Sequence, residues 1–372
     1  MPSFSAYISD AFGMLSLCLG KDNKFSCRND KKRFDKIIQV QYNNNMEKSI
    51  WFNLLFFAIG LVLIIKGGDY FVNSAVAFAK KTKIPTVIIG ATIVSIATTL
   101  PELIVSSLAA YKDDFGMAVG NGVGSVIANT ALICGLSIAC LPSIVKKDSI
   151  ARYLTIIFCA IFLIIASFNF QIELYESIIL IALFVVFMVI NVLDAKRKKG
   201  TQEECQVEGD TQFVSLGKII PLFILGALSI GFGAMTLVDS ASNLAKMIGI
   251  SDEIVGLTVV ALGTSLPEFT TTLISIKKKE SALGYGNIIG ANIINITLLV
   301  GISGILSGSG LPISKESVFL NLPLMLVVTL VFVLPLIFKS RTYRWQGISM
   351  LVIYLAYIVY LLLTALNIVS LF

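Results

Sequence analysis

The chain contains no histidine. That excludes histidine metal ligation, a histidine proton relay and a Ser-His catalytic pair. Charge is also scarce. Asp, Glu, Lys and Arg make up 14% of 372 residues, against 56% hydrophobic, where soluble domains carry about 25% charged residues. The six cysteines, at 18, 27, 134, 140, 159 and 205, form no C-x-x-C pair, and half of them lie in apolar runs. They read as unpaired small apolar residues, with no disulfide or metal framework. The G-x-G-x-x-G reading for nucleotides fails because no βαβ context surrounds the glycines, and no ATP-binding motif is present. No resident cofactor is expected, and the chain is not expected to be an enzyme.

What the sequence has in quantity is long apolar runs near 20 residues, the length that crosses a bilayer as helix. The expected fold is all-α and integral to the membrane, with about ten spans at 51–79, 84–111, 117–141, 151–169, 174–193, 216–245, 252–276, 282–306, 318–338 and 346–366. The first and sixth are long enough to tilt or run along the surface. The net charge of +6 sits in short loops, an orientation signal and not a nucleic-acid footprint. Odd-numbered loops are basic (Lys80, Lys81 and Lys83; Lys146, Lys147 and Arg152; Lys277, Lys278 and Lys279) and even-numbered loops are not. By the positive-inside rule the odd loops are cytoplasmic, both termini lie outside, and the chain belongs in the cell membrane, inner or plasma, among its lipids.

Residues 1–45 are a basic extension, expected to be disordered or to lie upstream of a true start at Met46. The 194–215 segment, basic then acidic, is a cytoplasmic linker between a first half at 46–193 and a second at 216–372.

The halves are related. Shifting the chain by 166 residues superposes Leu100-Pro101-Glu102 on Leu266-Pro267-Glu268, Gly120-Asn121 on Gly286-Asn287, and Asn129 on Asn295 without gaps. Five spans per half is an odd number, so the two repeats, 84–140 and 252–306, are inverted. Inverted repeats with interrupted spans at matching positions point to a secondary transporter with its ion site at the midplane.

Glu102 and Glu268 are the anionic core. A carboxylate at a helix centre in lipid costs roughly 2.5–3.5 kcal/mol by insertion scales, so its presence argues function. Proline one residue earlier removes an N–H and is expected to break the helix and free carbonyls. Thr98, Thr99, Thr264 and Ser265 supply hydroxyls on the same face, three and four residues away. Ser95 and Ala261 stand two turns back. Asn129, Asn295 and Ser125, four residues before Asn129, lie in the next spans. Oxygen-rich pockets of this kind bind hard cations. The glycines at 120, 122, 124, 286 and 290 read as packing residues, and Asp69 and Asp239 as interfacial or structural.

At these residues the chain resembles the sodium/calcium exchanger family of the cation/calcium antiporter superfamily, over nearly everything from 46 to 366. Gly263-Thr264-Ser265-Leu266-Pro267-Glu268 carries one signature, and Gly-Asn-x-x-Gly at 120–124 and 286–290 the other. The resemblance implies Na⁺/Ca²⁺ antiport by a monomer, with Ca²⁺ and Na⁺ as transported ions. Glu102 and Glu268 would hold Ca²⁺. Ser95, Thr98, Thr99, Ser125, Ala261, Thr264 and Ser265 would line Na⁺ sites, Ala261 and Ser95 through their backbone carbonyls. Three positions depart from the pattern: Ala97-Thr98-Thr99 replaces Gly-Thr-Ser, Ala291 stands where serine is common, and Asn295 where many relatives carry aspartate. A Ca²⁺/H⁺ antiporter of the same superfamily, a cation channel and an intramembrane aspartyl protease are the alternatives.

Overall fold

Uniformly apolar segments bury hydrogen-bonding groups only by pairing them internally, and in lipid a helix does this within one segment. The computed structural model describes residues 24–142, 150–198, 216–247, 261–308 and 310–365. It is an all-α integral membrane fold. The helices are α1 (Lys24–Thr82), α2 (Thr86–Tyr111), α3 (Phe115–Cys140), α4 (Ile150–Ala166), α5 (Leu174–Lys198) and α6 (Leu216–Met247). After them come α7 (Ala261–Thr264), α8 (Leu266–Lys277), α9 (Ser281–Leu306), α10 (Ser317–Lys339) and α11 (Arg344–Ala365). Among the described residues eight helices are long and apolar enough to span, and α4, at 17 residues, is shorter. The expected seventh span is divided into α7 and α8, and its start at 252–260 lies outside the described residues, as do 1–23 and 199–215.

Residues 24–45, expected to be disordered, are helical and belong to α1. No glycine or proline stands between Gly20 and Gly60 to stop the helix. Met1–Leu55 forms one unit and Phe56–Phe372 the other.

Within the larger unit the main core draws on α3, α4, α5, α9, α10 and α11, with Ile127, Ile156, Phe187, Ile288, Leu299 and Phe332 buried. Outward faces of the same helices carry exposed Phe158, Ile165, Val185 and Leu355, which suit lipid. A second cluster joins Phe71, Val72 and Ala75 of α1 to Ile89 and Val94 of α2, Ile230 of α6 and Leu283 of α9.

Three contacts join loops and helix ends. A two-residue antiparallel ladder pairs Gln171–Ile172, between α4 and α5, with Leu311–Pro312, between α9 and α10. Lys278, after α8, donates to Asn73 Oδ1 at 2.7 Å and pairs with Asp69 at 2.9 Å, both on α1. Arg152, at the start of α4, reaches Asp194 at 3.0 Å near the end of α5. The first contact joins two loops, the second ties the end of α8 to α1, and the third ties the start of α4 to the end of α5.

Arg152 is fully buried and also donates Nε to Asn191 Oδ1 at 2.6 Å. Truncation strands the buried Oδ1 of Asn191, whose Nδ2 donates to the Phe187 carbonyl at 2.8 Å, at a cost of about 1–3 kcal/mol. The R152M variant is expected to melt at a lower temperature in detergent, measured by thermal unfolding of the purified protein.

The helices are not uniform. Residues Gly90–Val94 of α2, Ala128–Cys134 of α3, Ile294–Leu299 of α9 and Ser317–Asn321 of α10 are π-helical. A π turn widens the ladder by one residue and swings the following side chains around the axis.

Candidate cation site

Glu102 and Glu268 are both fully buried. Their carboxyl groups are electrostatic neighbours. Their local backbones differ. Pro101 lies inside an α-helical stretch, Ser95–Tyr111, that runs on without a break. The expected interruption is absent here: proline deletes only the bond to the carbonyl four residues back, that of Ala97, and neighbouring turns hold the helix together. In the second repeat the interruption is present. α7 ends at Thr264, Ser265 caps α8 with φ −87° and ψ 5°, and Pro267 lies in the first turn beside Glu268. Proline is well suited to that position, and a carboxylate there meets the positive end of the helix dipole.

The two repeats interlock through hydroxyls. Thr99 Oγ1 donates to Glu268 Oε1 at 3.0 Å. Because Thr99 and Glu102 lie three residues apart on α2, this bond brings Glu268 against the face that carries Glu102. Thr98 Oγ1 donates to Asn287 Oδ1 at 3.1 Å, and Thr264 Oγ1 donates to Asn121 Oδ1 at 3.4 Å. Asn121 Nδ2 in turn donates to the Glu102 carbonyl at 3.3 Å and to Ser106 Oγ at 2.9 Å.

Ser95 is buried and donates to the Thr92 carbonyl at 3.0 Å, so its hydroxyl proton is committed within α2. Ser265 and Ser125 are buried, and Thr264 is half-buried. Ala261 opens α7. Asn129 and Asn295 are fully buried and lie inside the π segments of α3 and α9. These segments pack crosswise, that of α3 on α8 and that of α9 on α2.

Several buried polar atoms here have no protein partner. They include both carboxylate oxygens of Glu102, Oε2 of Glu268, Oγ of Ser265, and both amide atoms of Asn129 and of Asn295. A buried polar group without a hydrogen bond costs about 1–3 kcal/mol by mutational measure, and native folds rarely tolerate many together. A cluster dominated by acceptors is the donor set of a hard cation. Among the described residues no group of three or more His, Cys, Asp or Glu assembles. Two carboxylates supply the whole anionic charge, with neutral oxygens around them.

Close packing positions these groups. Gly286 and Gly290 of α9 lie on α2: a Cβ at Gly286 would stand 2.4 Å from the Val87 carbonyl oxygen, and one at Gly290 2.6 Å from that of Ala91. Gly122 packs on Leu299. Around Gly120 and Gly124, a Cβ meets nothing within 4 Å among the described residues. Their places on α3 match those of Gly286 and Gly290, and the positions matching Val87 and Ala91, 253 and 257, lie outside the described residues.

In the sequence Asn121 and Asn287 mark the repeat and the Gly-Asn-x-x-Gly signature, without a role at the site. Their signal was the one that picked out the glutamates, a polar residue duplicated 166 positions apart in apolar spans. Asp69, read as interfacial, is part-exposed and paired with Lys278. Asp239 is exposed. Cys134 and Cys159 are buried free thiols and Cys140 is an exposed one.

Fold and buried acids define the class, a polytopic membrane protein with paired carboxylates in its interior. The sequence pattern described as "Sodium/calcium exchanger protein" matches residues 52–193 and 218–363. The chain belongs to the sodium/calcium exchanger family. It is 30% identical to the sodium/calcium exchanger MaX1 of Methanosarcina acetivorans, over 83% of this chain and 98% of that protein. It is 32% identical to a membrane protein of Methanocaldococcus jannaschii, over 81% and 95%. The solved structure of the sodium-calcium exchanger NCX_Mj soaked with Na⁺ and Sr²⁺ superposes with TM-score 0.73 at 29% identity, covering 83% of this chain and 99% of that one.

Proposed function

We propose that this protein is a secondary antiporter that exchanges Na⁺ for Ca²⁺ across the cell membrane. The observation that carries the reading is the meeting of Glu102 and Glu268, both fully buried, within a set of unpartnered oxygens. The family of the chain and its likeness to MaX1 and NCX_Mj support the choice of ions.

Glu102 and Glu268 coordinate Ca²⁺, whose two charges they neutralise. Thr98, Thr99, Thr264, Ser265 and Ser125 offer hydroxyl oxygens, Ser95 and Ala261 offer carbonyls, and Asn129 and Asn295 offer amide oxygens. Na⁺ occupies overlapping positions, so the ions compete. With Asn295 in place of an acid the site holds charge −2. Two Na⁺ balance that charge and a third leaves +1, so exchange of three Na⁺ for one Ca²⁺ is electrogenic. The site opens to one side at a time, and the inward Na⁺ gradient drives Ca²⁺ out. Coupling of this kind needs a carrier, not a channel or an enzyme. The protein acts as a monomer without a cofactor, its termini outside and the 194–215 linker in the cytoplasm.

The test is flux into proteoliposomes with Na⁺, K⁺ and H⁺ gradients imposed separately. Na⁺-loaded vesicles diluted into Na⁺-free buffer are expected to accumulate radiolabelled Ca²⁺, with a membrane potential that follows the outward Na⁺ excess. Uptake driven by a pH gradient and indifferent to Na⁺ would identify a Ca²⁺/H⁺ antiporter instead.

A further inference from the structure

A hydroxyl group has one proton and two lone pairs. It can ligate a cation only if the proton points elsewhere. Thr98 has two acceptors within reach. One is the Ser95 carbonyl of its own helix at 3.3 Å; the other is Asn287 Oδ1 of α9 at 3.1 Å. If the proton went to Ser95, that bond would occupy a carbonyl the ion could use. Asn287 offers the shorter alternative, from the opposite half of the chain. The same device recurs 166 residues away in mirrored form, with Thr264 donating to Asn121 Oδ1 at 3.4 Å. An asparagine serving only to pack helices has no need to meet a threonine of the site, and the arrangement occurs twice.

From this geometry we infer that Asn287 and Asn121 are positioning residues. Each draws the proton of a threonine hydroxyl in the other half, Thr98 and Thr264 respectively, so that the oxygen's lone pairs face the cation; at Thr98 this also leaves the Ser95 carbonyl open. Asn287 is fully buried and its Oδ1 is the atom used. The inference rests on the exchanger reading above and adds residues that touch no ion.

The experiment is a double-mutant cycle on Na⁺-driven Ca²⁺ uptake in proteoliposomes, reading the Na⁺ concentration for half-maximal exchange. T98V and N287L are each expected to raise it about fivefold, the order of one lost hydrogen bond, with the maximal rate changed less. If Asn287 acts through Thr98, the double variant T98V/N287L is no worse than T98V alone. In the N287D background, which keeps an acceptor of the same size, T98V costs its full wild-type factor. Independent, multiplying effects of T98V and N287L overturn the assignment, as does a T98V effect that vanishes in N287D. The N287D arm decides the matter should N287L not fold. Loss of Na⁺ dependence in the wild-type protein would instead defeat the exchanger reading, so the two failures are distinguishable.

Discussion

Ca²⁺ flux is expected to disappear when Glu102 or Glu268 is replaced by glutamine. The substitution keeps shape and one acceptor oxygen and removes one negative charge. Ca²⁺ would then face charge −1 in a water-poor interior, with neutral oxygens for the rest. Two unit charges 4 Å apart interact by about 4 kcal/mol at an effective dielectric constant of 20, and twice that for a divalent ion. A loss of about 4 kcal/mol is already roughly a thousandfold in affinity. The fold should survive, because removing one of two neighbouring buried like charges relieves repulsion. E102Q and E268Q are therefore expected to melt at or above the wild-type temperature while uptake of radiolabelled Ca²⁺ falls to background. Uptake within threefold of wild type in either variant would remove that glutamate from the site.

The G286A variant is expected to lose both stability and transport. The added methyl would lie 2.4 Å from the Val87 carbonyl oxygen and 3.2 Å from the Ala91 nitrogen. Both are backbone atoms, so no side chain can rotate away, and α2 and α9 must separate. Overpacking of this kind costs about 1–3 kcal/mol. The displacement falls next to Asn287 and across from Ser95 and Thr98, so exchange should drop further than stability alone predicts. G231A is the control. A Cβ at Gly231 meets nothing within 4 Å among the described residues, and alanine in a helix interior is favoured by roughly 1 kcal/mol. Thermal melting in detergent compares the two, and equal melting temperatures would contradict the close crossing.

Much of this architecture was readable from composition and the repeat. Apolar runs gave the helices and their order, and duplicated acids in those runs marked the interior, since lipid makes a stray carboxylate expensive. The backbone detail was not readable. Pro101 and Pro267 occupy matching places in the repeat, yet one sits in an unbroken helix and the other begins a new one. Proline forbids one hydrogen bond and tolerates either outcome; the packing around it decides. The π segments were hidden because spans such as 281–306 are buried nearly all round and carry no apolar stripe whose phase could slip. Asn121 and Asn287 stood in view as repeat markers. Their partners lie 143 and 189 residues away in sequence, on helices whose crossing only the fold supplies.

Those partnerships make the two repeats depend on each other. Thr98 leans on Asn287, Thr264 on Asn121, and Thr99 on Glu268, each across the boundary between repeats. Neither repeat supplies both partners of any of these bonds. Either repeat alone would leave Thr98, Thr99 and Thr264 without these acceptors. One chain that carries both repeats keeps each donor beside its acceptor whatever the rest of the two halves does, and matching positions such as Ser125 and Ala291 are free to differ.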